Sequence, residues 1–162
     1  MSLNTAETQV GRIEPPSVAP AVTGWLLYLC LLLTIVYPAM ALYHIVTHTL
    51  PSLFAGHSVR FIFLYSVYYL IFGALAVFSF VAGMKLWLVR PGAVRLVRLW
   101  LWTYLFANFA YFGLWLAIAK HPNSLSLAEM GWYHVVGPIP SFALWYFYLE
   151  HSKRVRATYA GQ

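Results

Sequence analysis

Four stretches of this 162-residue chain contain no Asp, Glu, Lys or Arg: Trp25 to Thr49, Phe61 to Met84, Leu99 to Ala119 and Met130 to Leu149. About 20 helical residues, rising ~1.5 Å each, cross a hydrocarbon layer of roughly 30 Å, so every stretch is long enough to span a bilayer. The rest of the composition agrees, since only 9% of residues are charged, against about 25% in a soluble domain. Spans of this length use more than half of the chain and leave room for one compact unit with tails. The connections are short enough to join antiparallel neighbours. The sequence therefore predicts an all-α membrane protein, an up-and-down four-helix transmembrane bundle over 24–157 with spans at about 25–47, 61–86, 96–119 and 130–150.

The tail 1–23, polar and rich in proline through Glu14-Pro15-Pro16 and Pro20, is expected to be disordered, and 158–162 forms a short second tail. Because the first span follows that long tail, with Glu7 and Glu14, and lacks a small-residue cleavage site, it reads as an anchor and not as a signal peptide. The single Cys30 lies inside the first span, which excludes an intramolecular disulfide.

A net charge of +6 raises the question of nucleic acid, but in a polytopic chain basic residues set orientation. Arg12, Lys85, Arg90, Arg95, Arg98, Lys153, Arg154 and Arg156 fall on one side of the predicted spans, and only Arg60 and Lys120 on the other. Positive residues are retained in the cytoplasm, so both termini are expected inside. Aromatic side chains fit the same frame: Trp25, Trp87, Trp100 and Trp102 would mark the inner headgroup level, and Trp115, Trp132 and Tyr133 the outer one.

Within the spans, small residues indicate where helices meet, because lipid provides no hydrophobic drive for association and close backbone packing must supply it. Gly73, Ala76, Ser79 and Gly83 share one face of the second span, and Ala110, Gly113 and Ala117 one face of the third. Both faces are expected inside the bundle. Gly137-Pro138-Ile139-Pro140 should kink or open the fourth helix, and Pro38 should do the same in the first. Ser126-Leu127-Ala128-Glu129 fits a capping box, with Ser126 as the cap.

Histidines gather on the outer side. His44 and His48 stand four apart, the spacing at which one helical face presents two nitrogens, and His134 enters the fourth span at a similar depth. His44, His48 and His134 are thus candidate ligands for a metal or a haem iron, although no HExxH, CxxC or CxxCH accompanies them. A related set comprises Tyr37, His44, Tyr65, Tyr69, Asn108, Tyr111, Trp115 and His134, with Thr34 and Ser141 beside it. Turned inward, these faces would line an aromatic, hydroxyl-rich cavity for a small amphipathic ligand such as a quinone or lipid headgroup. Turned sideways, they would be ordinary interhelical hydrogen bonds. The chain has no Asp, and its Glu residues lie away from the midplane, so carboxylate-based ion coupling within the membrane has no carrier. No phosphate-cradling loop, nucleophilic triad or paired catalytic acids are present, which argues against an enzyme.

The two ends of the chain carry a further signal. Thr23-Gly24-Trp25-Leu26-Leu27 opens the first span, and Ser152-Lys153-Arg154-Val155-Arg156-Ala157-Thr158-Tyr159 follows the last. In this the chain resembles a family of bacterial inner-membrane proteins defined as a domain of unknown function, with an initial GGWL-like motif, four spans and a terminal SxRVKxTF-like motif. Here Thr23 stands for a first glycine, Arg156 for lysine and Tyr159 for phenylalanine. The resemblance implies the bacterial cytoplasmic membrane and a multi-pass topology, and brings no substrate or cofactor. Physically, the terminal motif is a basic helical extension, and Arg95, Arg98, Lys153, Arg154 and Arg156 are candidate contacts for anionic lipids. The function expected from all of this is that of a non-enzymatic accessory, scaffold or assembly partner, alone or as a homo-oligomer. A small-solute or lipid carrier and a haem or metal redox protein are the alternatives.

Overall fold

A computed structural model describes residues 22, 24–49, 59–118 and 124–159, and among them every regular element is helical. The expected disordered tail, apart from Val22 and Gly24 onward, lies outside the described residues, as do most residues of the first and third connections. Three helical segments, Trp25–Thr47, Ile62–Trp87 and Ala93–Ile118, are long and apolar enough to cross a membrane. A chain with three such helices is a multi-pass membrane protein, because a helix satisfies its own peptide groups where no water can.

The first segment comprises α1 (Trp25–Leu31), a π-helical turn (Leu32–Val36), α2 (Tyr37–His44) and a second π turn (Ile45–Thr49). The second and third are α3 (Val59–Trp87) and α4 (Ala93–Ile118). The remaining apolar stretch is divided into α5 (Ser124–Gly131), a π turn (Trp132–Val136) and α6 (Pro138–His151), followed by α7 (Lys153–Tyr159). The helix in α5 begins two residues ahead of Ser126, so Ser126 is not its N-cap as the sequence spacing indicated.

Proline explains where two of the three described π turns fall, Leu32–Val36 and Trp132–Val136. A helical proline lacks the N–H that would reach back four residues, and its ring clashes with that carbonyl. Before Pro38 the chain widens so that the Tyr37 N–H reaches back five residues to the Leu32 carbonyl. Before Pro138 the Gly137 N–H does the same to Trp132, at 2.8 Å. One extra residue per turn relieves the clash while the backbone stays in the right-handed helical region, with Gly137 at φ −61 and ψ −43. The kink expected at Pro38 and at the Gly137–Pro140 run is thus realised as a widened turn before Pro38 and before Pro138.

Packing is closest at the end where α1 begins and α6 finishes. Leu26, Leu29, Cys30 and Leu33 of the first segment meet Ala82 and Leu86 of α3, Val97 and Trp100 of α4, and Trp145 and Leu149 of α6 in one buried core. The Ser79 hydroxyl donates to the Leu33 carbonyl at 2.7 Å, a hydrogen bond between helices that leaves no polar group bare. Beside it, a Cβ at Gly83 would come within 2.6 Å of Thr34 Cγ2, so glycine is what lets these backbones approach. The other half of that small-residue face behaves differently, since Gly73 has open space around it. On α4 the structure overturns the expectation, because Ala110, Gly113 and Ala117 all face outward. Large rings on the opposite side of α4 fill the interior instead.

The turn after α3 is a Schellman arrangement, with the Arg90 N–H on the Lys85 carbonyl at 3.0 Å and the Val89 N–H on Leu86 at 3.2 Å. Val89 takes the left-handed position at φ 47, where a β-branched residue is strained.

Two predictions test this packing. Gly83→Ala is expected to destabilise the detergent-solubilised protein by about 1–3 kcal/mol, whereas Gly113→Ala, which meets nothing within 4 Å, should leave it unchanged. Equal effects in thermal melting would contradict the close approach. Val89→Gly should raise the melting temperature, by relieving about 1 kcal/mol or more of backbone strain.

Candidate functional site

On α4 the residues Trp100, Tyr104, Asn108, Tyr111 and Trp115 recur every three or four positions, so they form one stripe. Trp100, Asn108, Tyr111 and Trp115 are buried. The stripe faces Tyr68 and Phe72 of α3 on one side and the π turn before α6 on the other. From that turn His134 projects inward, with Nδ1 3.0 Å from Asn108 Oδ1. Its imidazole lies among three rings, with centroids 5.0 Å away for Tyr111 and 6.0 Å for Tyr68 and Phe72.

The hydrogen bonds settle the tautomer. Asn108 Nδ2 donates to the Tyr104 carbonyl at 2.8 Å, which orients the amide so that Oδ1, an acceptor only, faces His134. His134 must then carry its hydrogen on Nδ1 when neutral, leaving Nε2 as the nitrogen with a lone pair. His44 lies near enough for the two histidines to interact electrostatically.

One turn deeper, the Tyr37 ring sits 4.7 Å from Trp100 and 5.7 Å from Tyr104, and its hydroxyl shares a hydrogen bond of 3.3 Å with Ser141. The Trp100 indole N–H donates to the Leu75 carbonyl at 3.1 Å. Trp100 and Trp115 are therefore interior residues, and the sequence expectation that they mark the headgroup levels is corrected. Trp25, Trp102, Trp132 and Tyr133 are exposed, and Trp87, also expected at the inner level, is half-buried with its indole N–H on the Thr34 hydroxyl at 3.4 Å.

Of the candidate cavity set, the structure joins Asn108, Tyr111 and His134 directly. It places His44 close to them, and Tyr65 and Tyr69 within electrostatic reach of Tyr111. Tyr37 belongs to the neighbouring cluster, and Trp115 stacks on Phe112 farther along α4. Rings occupy the space between these helices, and His134 bonds to Asn108 and Tyr37 to Ser141. An open crevice of about 410 Å³ lies elsewhere, lined by Val59, Arg60, Phe63, Ala117 and Ile118. Among the described residues no three His, Cys, Asp or Glu side chains gather as metal ligands, and the side chain of His48 lies outside them. Tyr68, Phe72 and Tyr104 were missed from sequence. The spacing of Leu64, Tyr68, Phe72, Leu75 and Ser79 carries a signal for the inner face, but α3 is apolar all round and the contrast that would reveal it is faint.

A second candidate region is the basic end. Ser152 leaves the helix with φ −67 and ψ 118 and so turns the chain. It then caps α7, accepting from the Val155 N–H on its hydroxyl at 3.4 Å and from the Arg156 N–H on its carbonyl at 3.1 Å. Val155 is buried, and the Tyr159 hydroxyl donates to the Leu86 carbonyl at 2.7 Å. The helix thus continues to Tyr159, past the expected start of the tail at 158. Lys153, Arg154 and Arg156 face outward, as does Arg95. Arg98 pairs with Glu150 at 2.9 Å. Gly24 has φ 64 and ψ −135, a conformation nearly confined to glycine, and a Cβ there would lie 2.6 Å from Arg154 Nη1. The two terminal motifs, far apart in sequence, therefore meet.

Comparison with known proteins finds no matching family model, no matching curated protein and no matching solved structure.

In a double-mutant cycle, His134→Leu and Asn108→Leu are expected to show a coupling of about 1 kcal/mol, within the range for hydrogen bonds between membrane helices. A coupling of zero would show that the pair does not act as one unit. Tyr159→Phe should lower stability by about 1 kcal/mol. Burial, aided by Cys30 and Tyr148, pushes the Tyr159 phenol above its ordinary 10.0. The native state therefore keeps this proton after the unfolded chain begins to lose it, so the anchor's contribution is full below pH 10 and declines above it. Thermal melts of wild type and Tyr159→Phe across that range would converge as the pH rises.

Proposed function

We propose that this chain is a four-span bacterial inner-membrane protein with both termini in the cytoplasm, acting as a non-enzymatic accessory or assembly partner of other membrane proteins. The observation that carries the reading is that polar side chains of the interior are bonded within the protein, His134 with Asn108, Tyr37 with Ser141, and Ser79 and Trp100 with backbone carbonyls, while the buried Tyr148 hydroxyl is left without a partner among the described residues. Such a seam specifies how helices pack, and it leaves interaction with other molecules to the outer surface.

The four-helix up-and-down arrangement is supported by the course of the last apolar stretch, which stays in helical geometry through Gly137, and by its ring and hydrogen-bond contacts with both the first segment and α4. The outward-facing Ala110, Gly113 and Ala117 offer a smooth helix face to a partner helix or a second copy. Family membership, as the two terminal motifs indicate, agrees with the meeting of Gly24 and Arg154. The orientation rests on the eight-to-two distribution of Lys and Arg.

A second reading, a haem or metal site, has one observation in its favour. Asn108 holds the His134 Nδ1–H in the way that groups behind a ligating histidine do, and so leaves the ring's lone pair on Nε2.

Gentle isolation from native membranes, with mass spectrometry of bound proteins, is expected to recover the chain with a larger membrane complex. Recovery only as a free protein would count against the accessory role. An absorption band near the Soret region or stoichiometric metal in that sample would establish the second reading in its place. A reporter fused after Gln162 that works only when exported is expected to be silent.

A further inference from the structure

The described cations of the basic end lie at one end of the bundle. Tyr159 is fastened to Leu86, next to Lys85 and just before the turn that carries Arg90. Arg154 lies over Gly24 at the start of α1. Among the described residues the acids are Glu129, in α5, and Glu150, and the latter is taken by Arg98, the one ion pair within 4.0 Å. Lys85, Arg90, Arg95, Lys153, Arg154 and Arg156 are thus left as an uncompensated positive field.

What displays this field is anchored to the bundle. A helix of seven residues does not hold itself in water, so α7 depends on its anchors. Val155 and Tyr159, four apart, point one face into the protein, and Lys153, Arg154 and Arg156 occupy the other. The depth is marked by Trp25, which adjoins Gly24 and is 62% exposed, as an indole at the headgroup level is. Fixed cations at that depth face phosphate groups.

We propose that α7 is an interfacial helix whose outward face, with Arg90 and Arg95, binds the headgroup of an anionic phospholipid of the cytoplasmic leaflet. The leaflet rests on the N-in, C-in orientation proposed above, whereas the binding chemistry does not. Arg98 is excluded from the ligands by Glu150, which separates this surface from the general basic patch legible in the sequence. The Gly24–Arg154 approach gives the glycine of the first motif and the arginine of the second a common purpose, that of setting a guanidinium beside the first turn of the bundle.

The test uses the full chain purified in detergent and titrated with phosphatidylglycerol, with phosphatidylcholine, or with inorganic phosphate, while thermal melting and native mass spectrometry are recorded. Phosphatidylglycerol is expected to raise the melting temperature and to remain bound, phosphatidylcholine and phosphate not. Each neutralised cation should weaken retention about fivefold, so K153Q/R154Q/R156Q should abolish it. The charge-neutral double variant Arg98→Gln/Glu150→Gln, which removes the ion pair whole, should leave it intact. Retention by the wild type should fall as salt is raised, a reading that holds even if the triple variant does not fold. Equal retention of both lipids, binding unaffected by salt, the same shift with phosphate alone, or an acidic protein retained with no enriched lipid would each overturn the proposal. Detergent removes sidedness, so a failed reporter orientation with lipid binding intact would overturn the orientation alone.

Discussion

In hydrocarbon no solvent stands ready to accept a bare hydrogen-bonding group, and the structure is organised by that requirement. Proline cannot serve the carbonyl four residues back, so the first helix and the last apolar stretch both widen by one residue before it, at Tyr37 and at Gly137. Several side chains obey the same rule, with the buried Tyr148 hydroxyl an exception. Thr34 and Ser79 place their hydroxyl hydrogens on carbonyls, and the Trp100 indole crosses to Leu75. The π turn before α6 has a further effect, because it carries His134 and faces it to Asn108. A device that accommodates a proline thus also builds the polar seam.

Aromatic rings fill what these hydrogen bonds leave. Tyr68, Phe72 and Tyr111 surround the histidine, and Trp100 stacks with Tyr104 against Tyr37. Rings of this size need no tight backbone approach, in keeping with the outward-facing small residues of α4, whereas at Gly83 of α3 a Cβ would collide with Thr34. The membrane interior is therefore held in two ways, by close backbones at the end where α1 begins and by interlocked rings farther along.

Charge acts outside the hydrocarbon, where water returns. There α7 turns back through Ser152 and is fastened by one buried aliphatic residue and one phenol. The exposed Arg98–Glu150 pair adds little stability by itself, being open to solvent, but it withdraws the nearest acid from the basic surface.

Helicity and the presence of several segments long and apolar enough to cross a membrane follow from the sequence alone, four by charge-free length and three as single helices of the structure, because length and absence of charge are one-dimensional properties that the bilayer reads directly. So do the positions of the proline-widened turns. Facing does not follow, since a helix apolar on all sides carries no amphipathic contrast: Tyr65 and Tyr69 could not be told from Tyr68 and Phe72, nor Trp100 from the exposed Trp102. Only the tertiary structure brings His134 to Asn108, buries Trp115, and sets the first motif's Gly24 beneath the second motif's Arg154. These are contacts between residues distant in the chain, and they depend on which ring or backbone happens to occupy the opposite helix, a quantity that no local pattern encodes.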